Sequence, residues 1–180
     1  MDSSPIDGAR TSVLRLRPYK LDDEQSARRG HEEMKKDNFT FLLGWDDDSE
    51  WPIWLHEISQ HRRGLSLSPG IVPAAQLCAD VNGQIVGRIS VRFQLNKELA
   101  LFGGHIGFGV LPDHRQRGYA TEILRQGLVI ARGEGLTRVL IICNDDNLGS
   151  ARTIEMCGGE LEGVATAEDG ATKIRRYWIN

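Results

Sequence analysis

The residues with the most to say about chemistry lie between Pro112 and Ala120, in the run Pro-Asp-His-Arg-Gln-Arg-Gly-Tyr-Ala. Its core is Arg115-x-x-Gly118-x-Ala120. It opens directly onto a stretch in which Ala120, Ile123, Leu124, Leu128 and Ala131 recur at helical spacing. A loop that turns into a helix N-terminus presents several unpaired backbone N–H groups in one direction, and the helix dipole adds partial positive charge there. Gly118 and Ala120 leave room for a ligand to approach the backbone, while Arg115 and Arg117 supply side-chain charge. These residue types in this order suit a pyrophosphate. The run is not a P-loop, which needs Gly-Lys-Ser/Thr. It is not a Rossmann turn either, because Gly107-x-Gly109 lies inside a strand-like segment and is followed by Pro112.

Other side chains could act beside such a loop, and each has a plain structural role open to it. Cys143 ends an apolar run, where a thiol is either packing or a nucleophile. Asp46-Asp47-Asp48-Ser49-Glu50 could cap a helix or attract a cationic substrate. Trp45, Trp51 and Trp54 could line an acceptor groove or anchor a helix. Arg92 and Asn96 could touch an acceptor or bond a loop. His56 and His61 lack the i, i+4 spacing of a zinc helix, so no metal is expected.

The elements that must position these residues follow from periodicity and punctuation. A polar, flexible tail is expected over 1–11, then a strand from Ser12 to Arg17 closed by Pro18. Leu21 to Asp37 reads as a charged, solvent-exposed helix, and a second helix carries Trp51, Trp54, Leu55 and Ile58 on one face with Pro52 in its first turn. Ala74–Val81 and Gln84–Phe93 flank Asn82-Gly83, the pair that suits a two-residue I′ hairpin. His105–Leu111 is a glycine-rich strand, Tyr119–Arg132 the strongest helix, and Arg138–Cys143 a buried central strand. Ser150–Cys157 is a short helix stopped by Gly158-Gly159, and a second hairpin turns at Asp169-Gly170.

Composition sets the frame. The chain has 180 residues, with 22 Lys plus Arg against 25 Asp plus Glu, a net charge of −3. That balance argues against nucleic acid or an anionic membrane as the main partner. A hydrophobic content of 40% suits one globular domain. No apolar run reaches the roughly 18 residues that span a bilayer, and no secretory signal is read at the start. Cys78, Cys143 and Cys157 show no CxxC spacing, which suits reduced thiols in a cytoplasm.

Val110-x-Pro112, Arg115-x-x-Gly118-x-Ala120, the strand to Cys143, Asn147-x-x-Ser150 and the helix ending at Gly158-Gly159 together resemble a GNAT-type N-acetyltransferase. Gly103-Gly104-His105-Ile106-Gly107 and Arg176-Tyr177-Trp178-Ile179 resemble an uncharacterised bacterial branch of it. The second half of the chain carries the resemblance strongly; the first agrees in the order of its elements. It implies an α/β (mixed α+β) domain over 12–180, with a centrally splayed mixed sheet of about seven strands and about four helices. It further implies that acetyl-CoA lies in the splay, its pantetheine arm on the backbone of Phe108, Gly109 and Val110. The pyrophosphate would sit on Arg115, Gln116, Arg117, Gly118, Tyr119 and Ala120, with Cys143, Asn147 and Ser150 beside the arm.

The implied reaction moves an acetyl group from the thioester to a primary amine, of a small molecule or a protein, by direct attack. His105, beside the acyl group, is the candidate base, with a water relay or a carboxylate as alternatives, and a hydrogen bond to a neighbouring strand or loop as its plain structural role. The tyrosine acid that many members carry on the last helix is replaced by Ile154, leaving Tyr119 or Tyr177 as substitutes, while Glu155 is expected to point elsewhere. Trp45 and Arg92 are the acceptor-site candidates. A non-catalytic acyl-CoA sensor, an enzyme using a larger acyl group, and a homodimer built through the last two strands remain open.

Overall fold

The computed structural model describes residues 13–167 and 169–180; the tail expected at 1–11 lies outside them. The described chain forms seven strands, β1 (Leu14–Arg17), β2 (Ala74–Val81), β3 (Gln84–Arg92), β4 (Ile106–Val110), β5 (Val139–Asn144), β6 (Glu160–Thr166) and β7 (Lys173–Ile179). Its α-helices are α1 (Glu24–Lys35), α2 (Trp51–Arg62), α3 (Tyr119–Gly133) and α4 (Leu148–Met156). The mixed α/β class expected from the sequence is the one observed, with seven strands in a single sheet of order β1-β2-β3-β4-β5-β7-β6.

The β2–β3 hairpin turns at Asn82 and Gly83, with φ of 52° and 85°. A type I′ turn needs both values positive, and that is why Asn-Gly stands there. Alternation along the paired strands sorts the core into two layers. Ala75, Leu77, Ile89, Val91, Ile106 and Ile141 face α3 and α4. On the opposite face Cys78, Ile85 and Leu111 join Ala27 and Met34 of α1 and the aromatic side chains of α2. Helix α1 is therefore not simply solvated: its charged sequence hides the stripe Ala27, Gly30, His31 and Met34, spaced for one helix face.

Every strand pair is antiparallel except β4 with β5, and this parallel pair meets at one position only, Ile106 opposite Ile141. Just before it, the His105 N–H donates to the Leu140 carbonyl (2.7 Å) and the Leu140 N–H donates to His105 Nδ1 (2.8 Å). Beyond that junction the two strands share no further ladder position, so the sheet opens as a V toward Val110 and Asn144. Glycines keep β4 narrow. A Cβ at Gly109 would stand 2.7 Å from the Phe39 ring, and one at Gly104, where φ is 67°, would stand 2.7 Å from the Leu140 carbonyl oxygen.

Candidate functional site

A cavity of about 540 Å3 occupies the mouth of the V. Phe108, Gly109 and Val110 of β4 form one side, Asn147 and Ser150 at the start of α4 the other, and the 115–120 loop the end. The loop's backbone explains its sequence. Gln116 and Gly118 both have left-handed φ, 61° and 77°, and such turns aim successive N–H groups into a concavity. Gly118 is the residue that starts α3, and no atom lies within 4 Å of where its Cβ would be. The first N–H groups of α3 have no intrahelical acceptor, and the first helical bond at this end is Glu122 N–H to the Gly118 carbonyl (3.2 Å).

The loop is anchored by its arginines. Arg115 Nε donates to the Val110 carbonyl (3.1 Å), and its Nη2 pairs with Asp37 just past α1. Arg117 Nη2 donates to the Asp113 carbonyl (3.0 Å). Arg115 thus ties the end of β4 to the first helix, and the backbone N–H groups are left to meet a ligand. Asn147 caps α4, its Oδ1 accepting the Ser150 N–H at 3.0 Å. That bond is the local reason for Asn-x-x-Ser at this turn.

Most of the cofactor residues expected from the sequence meet in this cavity: Phe108, Gly109, Val110, Arg115, Gln116, Gly118, Tyr119, Ala120, Asn147 and Ser150. Arg117 and Cys143 do not line it. Cys143 packs against the core under α3 and α4, and burial pushes its thiol up to about 11. Sequence reading missed Met34, Asp37 and Phe39, which arrive from α1 and the segment after it, and Thr153, one turn beyond Ser150 on α4. The Thr153 position is visible in the i, i+3 spacing from Ser150; the other three depend on a long-range docking.

His105 is elsewhere. It sits at the closed end of the V, buried, with its ring 6.4 Å from that of Trp178, and lines neither this cavity nor a second one described below. Because the Leu140 N–H donates to Nδ1, that nitrogen carries no proton, and burial holds the ring's pKa below the ordinary histidine value. The lone pair a base would use is already engaged. Trp45 stands edge-on to Trp51 (5.6 Å) and Trp54 (6.0 Å) with the Arg28 guanidinium 5.4 Å from its ring centre, again outside both cavities. The Tyr177 hydroxyl donates to Glu155 (2.9 Å) behind α4, so Glu155 does have a part in the fold. The acidic run 46–50 is a turn, with Ser49 Oγ donating to Asp46 (2.8 Å).

A second guanidinium organises the floor. Arg88 is buried beneath the segment joining α1 to α2. It donates to the Thr40 carbonyl (2.6 Å), the Gly107 carbonyl (3.0 Å) and Ser90 Oγ (3.2 Å), and stands 4.3 Å from the centre of the Phe39 ring. Burial brings its pKa down to about 10. It pins the Phe39 wall of the cavity to β4. His31 does the same from above, its Nδ1 accepting the Leu42 N–H at 3.0 Å.

A mixed sheet opened between two parallel strands, with a helix N-terminus at the opening, is an α/β fold with a ligand-sized cleft at the parting of its strands. Residues 31–158 match the model of the acetyltransferase (GNAT) family, and the chain belongs to that family. It is an acetyltransferase. Among solved structures it is similar to an acetyltransferase from Agrobacterium tumefaciens, at 24% identity and a TM-score of 0.61 over 91% of this chain and 90% of that one. It is also similar to RimL, a ribosomal L7/L12 alpha-N-protein acetyltransferase solved with coenzyme A, at 18% identity and a TM-score of 0.65 over 94% of each chain. A third is yncA from Salmonella typhimurium with acetyl-CoA, at 15% identity and a TM-score of 0.63 over 93% of each. At these identities the likeness is one of fold. No curated protein matches the sequence.

Proposed function

We propose that the protein transfers an acetyl group from acetyl-CoA to a primary amine, and that the cofactor lies in the cavity at the mouth of the V. One observation carries this reading: β4 and β5 part after a single bridge, and the anion-binding start of α3 stands at the opening. The residues present fit the group. The cavity volume of about 540 Å3 is ample for an extended arm. The open space at Gly118 and the left-handed turns at 116 and 118 admit a pyrophosphate to the backbone. Unpaired strand backbone beyond Ile106 can bond an amide-bearing chain as a further strand would.

Acetyl-CoA supplies an acyl group on a good leaving sulfur. In balance, an ammonium and the thioester give an amide, a free thiol and one proton. This chain's residues orient and shield: Phe39 and Phe108 border the site and limit water, and Arg88 and His31 hold the Phe39 segment in place. The backbone N–H groups of β4 at the cavity can stabilise charge on the carbonyl oxygen. The proton leaves through water, since the expected histidine is committed to Leu140. Water likewise returns a proton to the departing sulfur.

Calorimetric titration with acetyl-CoA and CoA tests the reading. Wild type is expected to bind both in the micromolar range, and Gly118→Trp, which fills the open space at the loop, to weaken binding by about 100-fold or more. Wild-type protein that binds neither at about 1 mM overturns it.

A further inference from the structure

A second cavity, of about 470 Å3, lies on the α1–α2 side of the sheet. Phe39 lines the first cavity and Leu43 the second, so the segment held down by Arg88 and His31 runs between them. One wall is a single face of α2: Trp54, Glu57, Ile58 and His61 at i, i+3, i+4 and i+7. The floor includes Ser90 and Arg92 of β3. Ser90 pairs in register with Gly107, two residues before Gly109 of the first cavity. The first cavity thus lies on β4 and the second on the neighbouring strand β3, with the Ser90–Gly107 pair between them.

The charges on that floor are unbalanced. Arg88, Ser90 and Arg92 alternate onto one face of β3, so two guanidinium groups lie on the same side of the strand. Arg92 Nη1 donates to the carbonyls of Gly104 (3.0 Å) and Gly103 (3.4 Å). Among the described residues neither arginine has a carboxylate partner, whereas seven other ion pairs form elsewhere. Glu57 and Glu98 also line the cavity, yet neither pairs with Arg92. A sequestered cation without a counter-charge is costly, and an anion delivered to it offsets that cost. The carboxylates on the walls, conversely, favour an ammonium group. Floor and walls together fit a ligand bearing both charges.

We infer that the second cavity is the acceptor site and that the acceptor is a small amine carrying a carboxylate, the chemistry of an amino acid, seated on Arg92. The assignment of the cavity to the acceptor rests on the acetyl-transfer reading above; the carboxylate preference rests on Arg92 and is measurable without the cofactor. The volume is within the range of small-molecule sites, and Ile71, Leu43 and Leu99 offer apolar surface to a side chain.

The test compares leucine, serine and lysine with their primary amides, which keep the amine and lose the carboxylate. Binding is read by calorimetry without cofactor, and turnover by thiol release from acetyl-CoA. At least one acid is expected to bind about tenfold or more tighter than its amide, the preference to vanish in Arg92→Gln, and part of it to remain in Arg92→Lys. Melting curves establish that the variants are folded; should Arg92→Gln unfold, the wild-type acid-to-amide ratio and Arg92→Lys decide. Acids and amides that bind alike overturn the inference. So does a preference that survives in Arg92→Gln, or no acid binding up to about 10 mM. An acid preference in a protein that does not bind acetyl-CoA upholds the cavity's carboxylate chemistry and overturns the acetyl-transfer reading instead. A preference for an N-terminal peptide over free amino acids and their amides assigns the site to a polypeptide acceptor and overturns the small-molecule class.

Discussion

Replacing His105 by alanine and by asparagine separates two roles that one histidine could have. In the structure its Nδ1 accepts the Leu140 N–H at 2.8 Å at the only place where β4 and β5 are joined. Alanine leaves that buried N–H without an acceptor, at about 1–3 kcal/mol, and removes a buried ring, at roughly 2 kcal/mol more. A total near 4 kcal/mol corresponds to a fall in Tm of about 8–16 °C for a chain of this size. Asparagine places its Oδ1 close to where Nδ1 stood, so it restores the acceptor and is expected to recover about half of the loss. Neither residue can act as a base. If His105 were the base, both variants would lose about 100-fold to 10,000-fold in kcat. The junction role instead expects His105→Asn to keep kcat within about threefold of wild type, with acetyl-CoA affinity unchanged. Calorimetric melting and steady-state thiol release on the same preparations make the comparison. An asparagine variant that melts like wild type but has lost 100-fold or more in kcat would refute the reasoning.

Further outcomes are expected. His31 and His105 both have lowered pKa values, chiefly from burial, and both accept a backbone N–H while neutral. Their neutral forms belong to the folded state, so stability is flat above the unfolded histidine value of about 6.5 and declines as the pH falls below it. Denaturant midpoints between pH 8 and pH 5 follow this, and each of His31→Asn and His105→Asn flattens the slope. Gly127→Val drives a Cβ to within 2.2 Å of Ile89 Cδ1 in the α3 core and is expected to lower stability by about 3 kcal/mol in urea melts. Asn147→Ala removes the α4 cap and loses about 1 kcal/mol; as Asn147 also lines the first cavity, a modest weakening of acetyl-CoA binding accompanies it.

What the sequence carried plainly was local. Asn82-Gly83 announces a hairpin because its φ requirement is a property of two residues, and α3 announces itself because its apolar stripe is long enough to be periodic. The 115–120 loop was legible for the same reason: its glycine, its arginines and the helix behind it are contiguous. The roles that escaped belong to contacts between distant segments. His105 reads as a base because the resemblance puts it beside the acyl group, and only the position of Leu140, 35 residues on, selects the structural hydrogen bond instead. Arg88 reads as an ordinary hairpin arginine until Thr40, 48 residues earlier, is folded onto it. Leu21 to Asp37 looked solvated because a docked stripe of Ala, Gly, His and Met is weakly hydrophobic. The five-residue turn Leu99–Gly103 before β4 has no compositional mark that sets it apart from a loop.

The single bridge between β4 and β5 also says something about how this sheet can change over evolutionary time. Strands β1 to β4 form one plate and β5 to β7 another, and the ladder couples them at one position beside His105. A long parallel ladder would lock the two plates into a common register, so that any shift in one would have to be matched residue by residue in the other. Here the coupling behaves as a pivot. Substitutions around Gly104, His105, Ile106, Leu140 and Ile141 act on a short lever arm, and the width of the opening at Val110 and Asn144 responds at the long end. Cleft geometry can therefore be altered by changes at a handful of buried positions, without any change in the 115–120 loop.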